Sequence, residues 1–145
     1  MMNHLTNLSE HFGLAELCKT NTGIENVPNE EQVNNLRRVC QWLEQLRRRW
    51  NNLYGDGDDP IIINSGFRSP EVNKAVGGVA TSNHLTGCAV DIRCIGMEQA
   101  LRYAAILLDI EDNPARQQCN RWMTHGFIER IKQGKYRKII KDLMI

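Results

Sequence analysis

Ser65-Gly66-Phe67-Arg68-Ser69, followed by Ser82-Asn83-His84-Leu85-Thr86-Gly87-Cys88-Ala89-Val90-Asp91, is the stretch on which the fold reading turns. It places an arginine behind a strand-like run and joins a histidine to a carboxylate across a glycine. His84 and Asp91 lie seven positions apart, so on one uninterrupted strand their side chains would point to opposite faces. A turn is therefore required between them. Gly87 is the natural site, because glycine accepts turn or bulge geometry that returns both side chains to one side. Imidazole nitrogen and carboxylate oxygen are ordinary zinc donors, and a catalytic zinc site takes three protein ligands with a fourth position left for water.

Outward from this stretch, Gly55-Asp56-Gly57-Asp58-Asp59-Pro60 is turn chemistry, and Ile61-Ile62-Ile63 reads as a buried strand. The acidic loop lacks the EF-hand spacing and its terminal glutamate, so calcium is not expected there. Ser69-Pro70-Glu71 starts a short helix, with serine at the cap and proline at the first helical position, and Gly77-Gly78 stops it. That glycine pair is not a nucleotide loop, since no lysine and hydroxyl follow it in Walker spacing. Ala89 to Cys94 alternates like a half-buried strand, and Met97 to Leu108 returns to helical spacing.

Upstream, Val33, Leu36, Val39, Cys40, Leu43, Leu46, Trp50 and Leu53 recur at three- and four-residue steps and predict a helix over 30–54. Asn29 caps it, Gln32 completes a capping box and Gly55 closes it. Trp42 lies beside the main stripe and widens it. From Leu5 to Asn21 the pattern predicts a short helix or packing arm beginning near Ser9. Strands and helices mix without a βαβ repeat, so the expected class is α+β, an antiparallel sheet flanked by helices.

The chain of 145 residues is the size of one domain, taken as 1–145. A formal net charge of +1 gives no global attraction to nucleic acid or an acidic membrane, and neither partner is expected. Arg47-Arg48-Arg49 reads as a solvated helix end. Five cysteines without a C-x-x-C pair argue against a disulfide framework and against a thiolate zinc knuckle. The N-terminus shows no basic region followed by an apolar run, so a cytoplasmic chain without a signal peptide is expected. No segment has the length of a membrane span.

The ordered set Ser65-Gly66-Phe67-Arg68-Ser69, Asn73, Val76-Gly77-Gly78 and Ser82-x-His84-x-x-Gly87-x-Ala89-x-Asp91 resembles the zinc D-Ala-D-Ala carboxypeptidase and murein endopeptidase family. That family is similar in fold to the vancomycin-resistance D-Ala-D-Ala dipeptidases and the hedgehog signalling domain, so the resemblance implies a hedgehog/DD-peptidase-like fold. It implies zinc held by His84, Asp91 and a histidine near the C-terminus, with Arg68 stabilising charge on the scissile carbonyl; Ser82, two residues before His84, is placed to donate a hydrogen bond to substrate in the same region. Zinc would lower the pKa of its bound water to roughly 7 and polarise the peptide carbonyl. The implied reaction is hydrolysis of a peptide bond beside a D-amino acid, in peptidoglycan stem peptides or crosslinks. A monomer acting on the cell wall once released, as phage endolysins do, is the expected form.

The tail departs from the family pattern. Members carry the last histidine in a W-x-H strand, whereas this chain has Trp122-Met123-Thr124-His125. His125 is the only histidine after Asp91 and is the expected third ligand under one alignment. A second alignment sets Arg137-Lys138-Ile139 where Trp-x-His should stand, and the third ligand is then missing. Two further functions stay open on these grounds: a degenerate relative that binds peptidoglycan peptides or a protein without hydrolysis, and a cytoplasmic dipeptidase acting on free D-Ala-D-Ala.

Overall fold

A computed structural model describes residues 6–111 of the chain. The elements run α1 (Leu14–Leu17), α2 (Glu30–Leu53), β1 (Ile63–Ser65), α3 (Pro70–Ala75), a 3₁₀ turn (Asn83–Thr86), β2 (Asp91–Ile92) and α4 (Gly96–Glu111). β1 and β2 pair antiparallel, with Ile63 opposite Ile92, Ser65 opposite Asp91 and an irregularity between the two pairs. The class is α+β, as expected, although the sheet has only two strands among the described residues.

α2 is the spine. Its N-terminus carries the expected capping box, in which Asn29 Oδ1 accepts from the Gln32 amide at 2.9 Å and the Asn29 amide donates to Gln32 Oε1 at 2.8 Å. Val33, Leu36, Val39, Cys40, Trp42, Leu43, Leu46 and Trp50 are all buried, at about 1.5–3 kcal/mol for each large side chain fully removed from water. Leu53, counted in the sequence stripe, instead stands 63% exposed in the last turn. The helix outruns its cover there. α4 packs on α2, with Trp50 and Tyr103 meeting edge to face at 4.8 Å and Arg49 paired to Asp109.

Two strand expectations need correction. Ile61 and Ile63 are buried but Ile62 lies at the surface, so the isoleucine run alternates as it enters the sheet and pairing begins only at Ile63. Around β2, Val90, Asp91 and Ile92 are consecutively buried; both faces are covered and the half-buried alternation does not hold. In the N-terminal arm, the helix starts at Leu14 rather than near Ser9, after an isolated bridge between Asn7 and Gly13. The arginine cluster is only partly solvated, since Arg47 pairs with Asp58 at 2.6 Å across the turn that follows α2. Asn51 organises that turn by accepting from the Gly57 and Asp59 amides. Among the described residues no helix is long and apolar enough to cross a membrane.

Candidate metal centre

The site is assembled where β1, β2, the start of α3 and the 3₁₀ turn meet. Ser82 opens the turn, its Oγ accepting from the His84 amide at 3.2 Å, and Gly87 closes it at φ 78°. That left-handed conformation suits glycine. A second constraint acts on the same atom, because a Cβ at Gly87 would lie 2.6 Å from the Gln32 carbonyl oxygen. α2 then holds the turn by its rim, with Gln32 Nε2 donating to the Leu85 carbonyl at 3.2 Å and Asn35 Nδ2 to that of Thr86 at 2.9 Å. The glycine turn expected between His84 and Asp91 is thus a helical turn docked on α2.

His84 is buried and its Nδ1 lies 2.7 Å from the carbonyl oxygen of Gly66. A carbonyl can only accept, so Nδ1 carries a proton and donates, and Nε2 is the ring nitrogen whose lone pair a metal would take. Nε2 faces Asp91 Oδ1 at 3.4 Å. Gly66 must approach closely for this to happen: a Cβ there would run into the Leu17 backbone, while the adjacent Phe67 amide donates to Leu17 O at 2.8 Å. The Arg68 amide donates to the His84 carbonyl at 3.0 Å, so the segment leaving β1 is stitched between α1 and the histidine turn.

Asp91 enters from β2, opposite Ser65, and is 5% exposed. A carboxylate so placed needs a counter-charge. Arg68 supplies it, with Nη2 at 3.1 Å from Asp91 Oδ2. The same guanidinium donates from Nε to Ser65 Oγ at 3.1 Å and from Nη1 to Asn73 Oδ1 at 3.3 Å. Three of its five N–H groups are engaged in these bonds. Asp91 is therefore divided: one oxygen faces the arginine and the other faces the imidazole.

The donor chemistry fits zinc. With Zn–N and Zn–O bonds of about 2.0–2.2 Å, tetrahedral geometry sets two donors about 3.4 Å apart. The Nε2 to Oδ1 separation matches that spacing and is too long for a good hydrogen bond. His84 also shows the arrangement common to metal-bound histidines, its other nitrogen donating to a backbone carbonyl. Among the described residues no group of three His, Cys, Asp or Glu side chains converges as a metal site. His125 lies outside the described residues, as do the alternative alignments of the tail.

Of the residues singled out from sequence, His84, Asp91 and Arg68 converge directly, while Ser82 meets them through the His84 backbone. Ser65 and Asn73, which grip the arginine, and the Gly66 carbonyl, which orients the imidazole, were part of the quoted motif without an assigned role. Their signal is order in the chain, but only folding shows which atoms they engage. Cys94, packed against the core, has its thiol pushed up to about 12 by burial and is not a thiolate at neutral pH.

A sequence model of the family described as Peptidase M15 matches residues 10–125. The chain is also similar to a protein named zinc D-Ala-D-Ala carboxypeptidase from Streptomyces albus G, 50% identical over 54 residues, which are 37% of this chain and 19% of that protein. The chain thus covers less than a fifth of that relative's length. No solved structure matches it.

Proposed function

The chain belongs to the peptidase M15 family, and from that premise we propose that it is a zinc-dependent peptidase. Its substrates are peptide bonds next to D-amino acids in peptidoglycan stem peptides or crosslinks. The observation that carries this reading is the 3.4 Å approach of His84 Nε2 to Asp91 Oδ1, with the remaining donor atoms of both side chains committed to Gly66 and Arg68. The partial likeness to a zinc D-Ala-D-Ala carboxypeptidase supports the choice of metal and of substrate class. The reading takes residues 1–145 as one DD-peptidase-like domain, a monomer that works on the cell wall when released from the cytoplasm.

His84 through Nε2 and Asp91 through Oδ1 would hold the ion, with His125 as the third ligand. When bound, zinc supplies Lewis acidity and a nucleophile at neutral pH. Arg68 uses the N–H groups beyond its three internal bonds to stabilise negative charge developing on the scissile carbonyl oxygen. The Ser82 hydroxyl, whose oxygen accepts from the His84 amide, keeps its own hydrogen for a substrate acceptor.

The test is the zinc content of the purified full chain, beside His84→Ala and His125→Ala, followed by hydrolysis of crosslinked muropeptides. Near-stoichiometric zinc lost in both variants, with cleavage by the parent chain, is the expected result. Zinc that persists in His125→Ala removes the third ligand from the proposal. A parent chain that binds zinc but cleaves no muropeptide is a binding module, and one that takes up no added zinc at neutral pH is not this enzyme.

A further inference from the structure

We propose that Asn73 is a positioning residue for Asp91, acting through Arg68 to keep Oδ1 of the carboxylate turned toward the metal. The proposal rests on the zinc reading above and goes beyond it by assigning a role to an uncharged side chain whose hydrogen bonds run to Arg68 and Val79.

Asn73 is 4% exposed and engages both ends of its carboxamide. Its Oδ1 accepts from Arg68 Nη1 at 3.3 Å, and its Nδ2 donates to the Val79 carbonyl at 2.9 Å. These two demands are opposite, and a carboxamide meets both from one planar group. Aspartate would face the Val79 carbonyl with another acceptor, and leucine would leave the bonds to Val79 and Arg68 unmade. The backbone beneath it is equally tied, since the Asn73 amide donates to Ser69 O at 2.9 Å and its carbonyl accepts from Gly78 at 2.8 Å.

Gly78 shows how closely this clamp is built. A Cβ at that position would overlap the Asn73 carboxamide and come within 3.1 Å of Arg68 Nη1. Gly78 is not among the glycines with positive φ, so its constraint is space rather than backbone conformation. The second glycine of the pair that ends α3 makes room for the amide against the guanidinium.

The consequence follows from the shape of arginine. Its planar fork is held at Nε by Ser65, at Nη1 by Asn73 and at Nη2 by Asp91. Removing the Nη1 anchor lets the plane pivot, and the Nη2 bond that occupies Asp91 Oδ2 moves with it. The carboxylate then turns about its own axis, and Oδ1 leaves the position facing His84 Nε2. Loss of a residue that orients a ligand in this way lowers metal affinity about 10–100-fold.

The experiment uses the full chain and two variants, Asn73→Ala and Gly78→Ala. Zinc affinity is read by competition with a chromophoric chelator, and ligand geometry by the visible absorption of the cobalt-substituted protein. Thermal midpoints of the metal-free proteins are measured in parallel. The expected result is zinc binding roughly 10-fold or more weaker in Asn73→Ala, a smaller loss in Gly78→Ala, and a changed cobalt spectrum in both. A lower metal-free midpoint with parental zinc affinity and cobalt spectrum marks a merely structural role and overturns the proposal, leaving the zinc reading intact. A parent chain that binds neither metal overturns both.

Discussion

At the scale of single residues, Gly66 does two jobs that no side chain allows. Its carbonyl accepts the hydrogen bond from His84 Nδ1 and its bare Cα lies against the Leu17 backbone. Gly66→Ala forces the β1 exit away from α1, an overpacking cost of about 1–3 kcal/mol. We expect a lower urea midpoint for this variant and, because the histidine acceptor moves with the backbone, weaker zinc retention at equal folded fraction. Cys18 and Cys40 behave in the opposite way. Burial pushes Cys18 and Cys40 up to about 12, so neither is a thiolate at neutral pH. The motif glycines and the inert character of Cys18 and Cys40 were legible in the sequence, but the partner of Gly66 was not. Leu17 is 49 positions away along the chain, and no local pattern encodes that contact.

At the scale of elements, α2 was legible almost throughout, because its apolar spacing and its cap chemistry agree. The cap also reaches the site. Gln32, which closes the capping box with Asn29, donates from Nε2 to Leu85 in the His84 turn. Asn29→Ala should cost about 1 kcal/mol of stability, visible as a shifted urea midpoint at unchanged slope. If the midpoint does not move, the capping box contributes nothing measurable. The strands were harder to read. Their hydrogen-bonded lengths are three and two residues, too short for an alternation pattern to declare itself, and the Val90-Asp91-Ile92 run is enclosed on both faces. α4 extends to Glu111, past the Leu108 expected from spacing, since Asp109 is retained on the helix surface by Arg49 and Ile110 is fully buried.

At the scale of the whole molecule, the N-terminal arm is fastened to the middle of α2 by Glu44. Its carboxylate accepts from Ser9 Oγ at 2.6 Å and the His11 amide at 2.7 Å, and pairs with His11 Nδ1 at 2.6 Å. Burial alone would raise the Glu44 pKa, but the hydrogen bonds from Ser9 and His11 outweigh it and hold the group below its ordinary value of 4.5. A carboxyl depressed in the folded state stabilises the fold above its unfolded pKa, and this contribution disappears as pH falls through the folded value. Stability of the parent chain should therefore exceed that of Glu44→Gln at pH 6–7, and the gap should close as pH drops from about 4.5 toward the lower folded pKa. A gap constant down to pH 3 would contradict this assignment. The sequence by itself determined the family motif, the α+β class, the long helix with its N-terminal capping box, and the pairing of His84 with Asp91 across a glycine. Those are readable because periodicity, capping and turn chemistry act over a few neighbouring residues. Only the tertiary structure decided that Arg68 divides its bonds among Ser65, Asn73 and Asp91, and that the Gly66 carbonyl selects the nitrogen His84 presents. Hydrogen bonds form between groups brought together by the core, and in this site the chain separations run from three residues for Arg68 and Ser65 to 23 for Arg68 and Asp91.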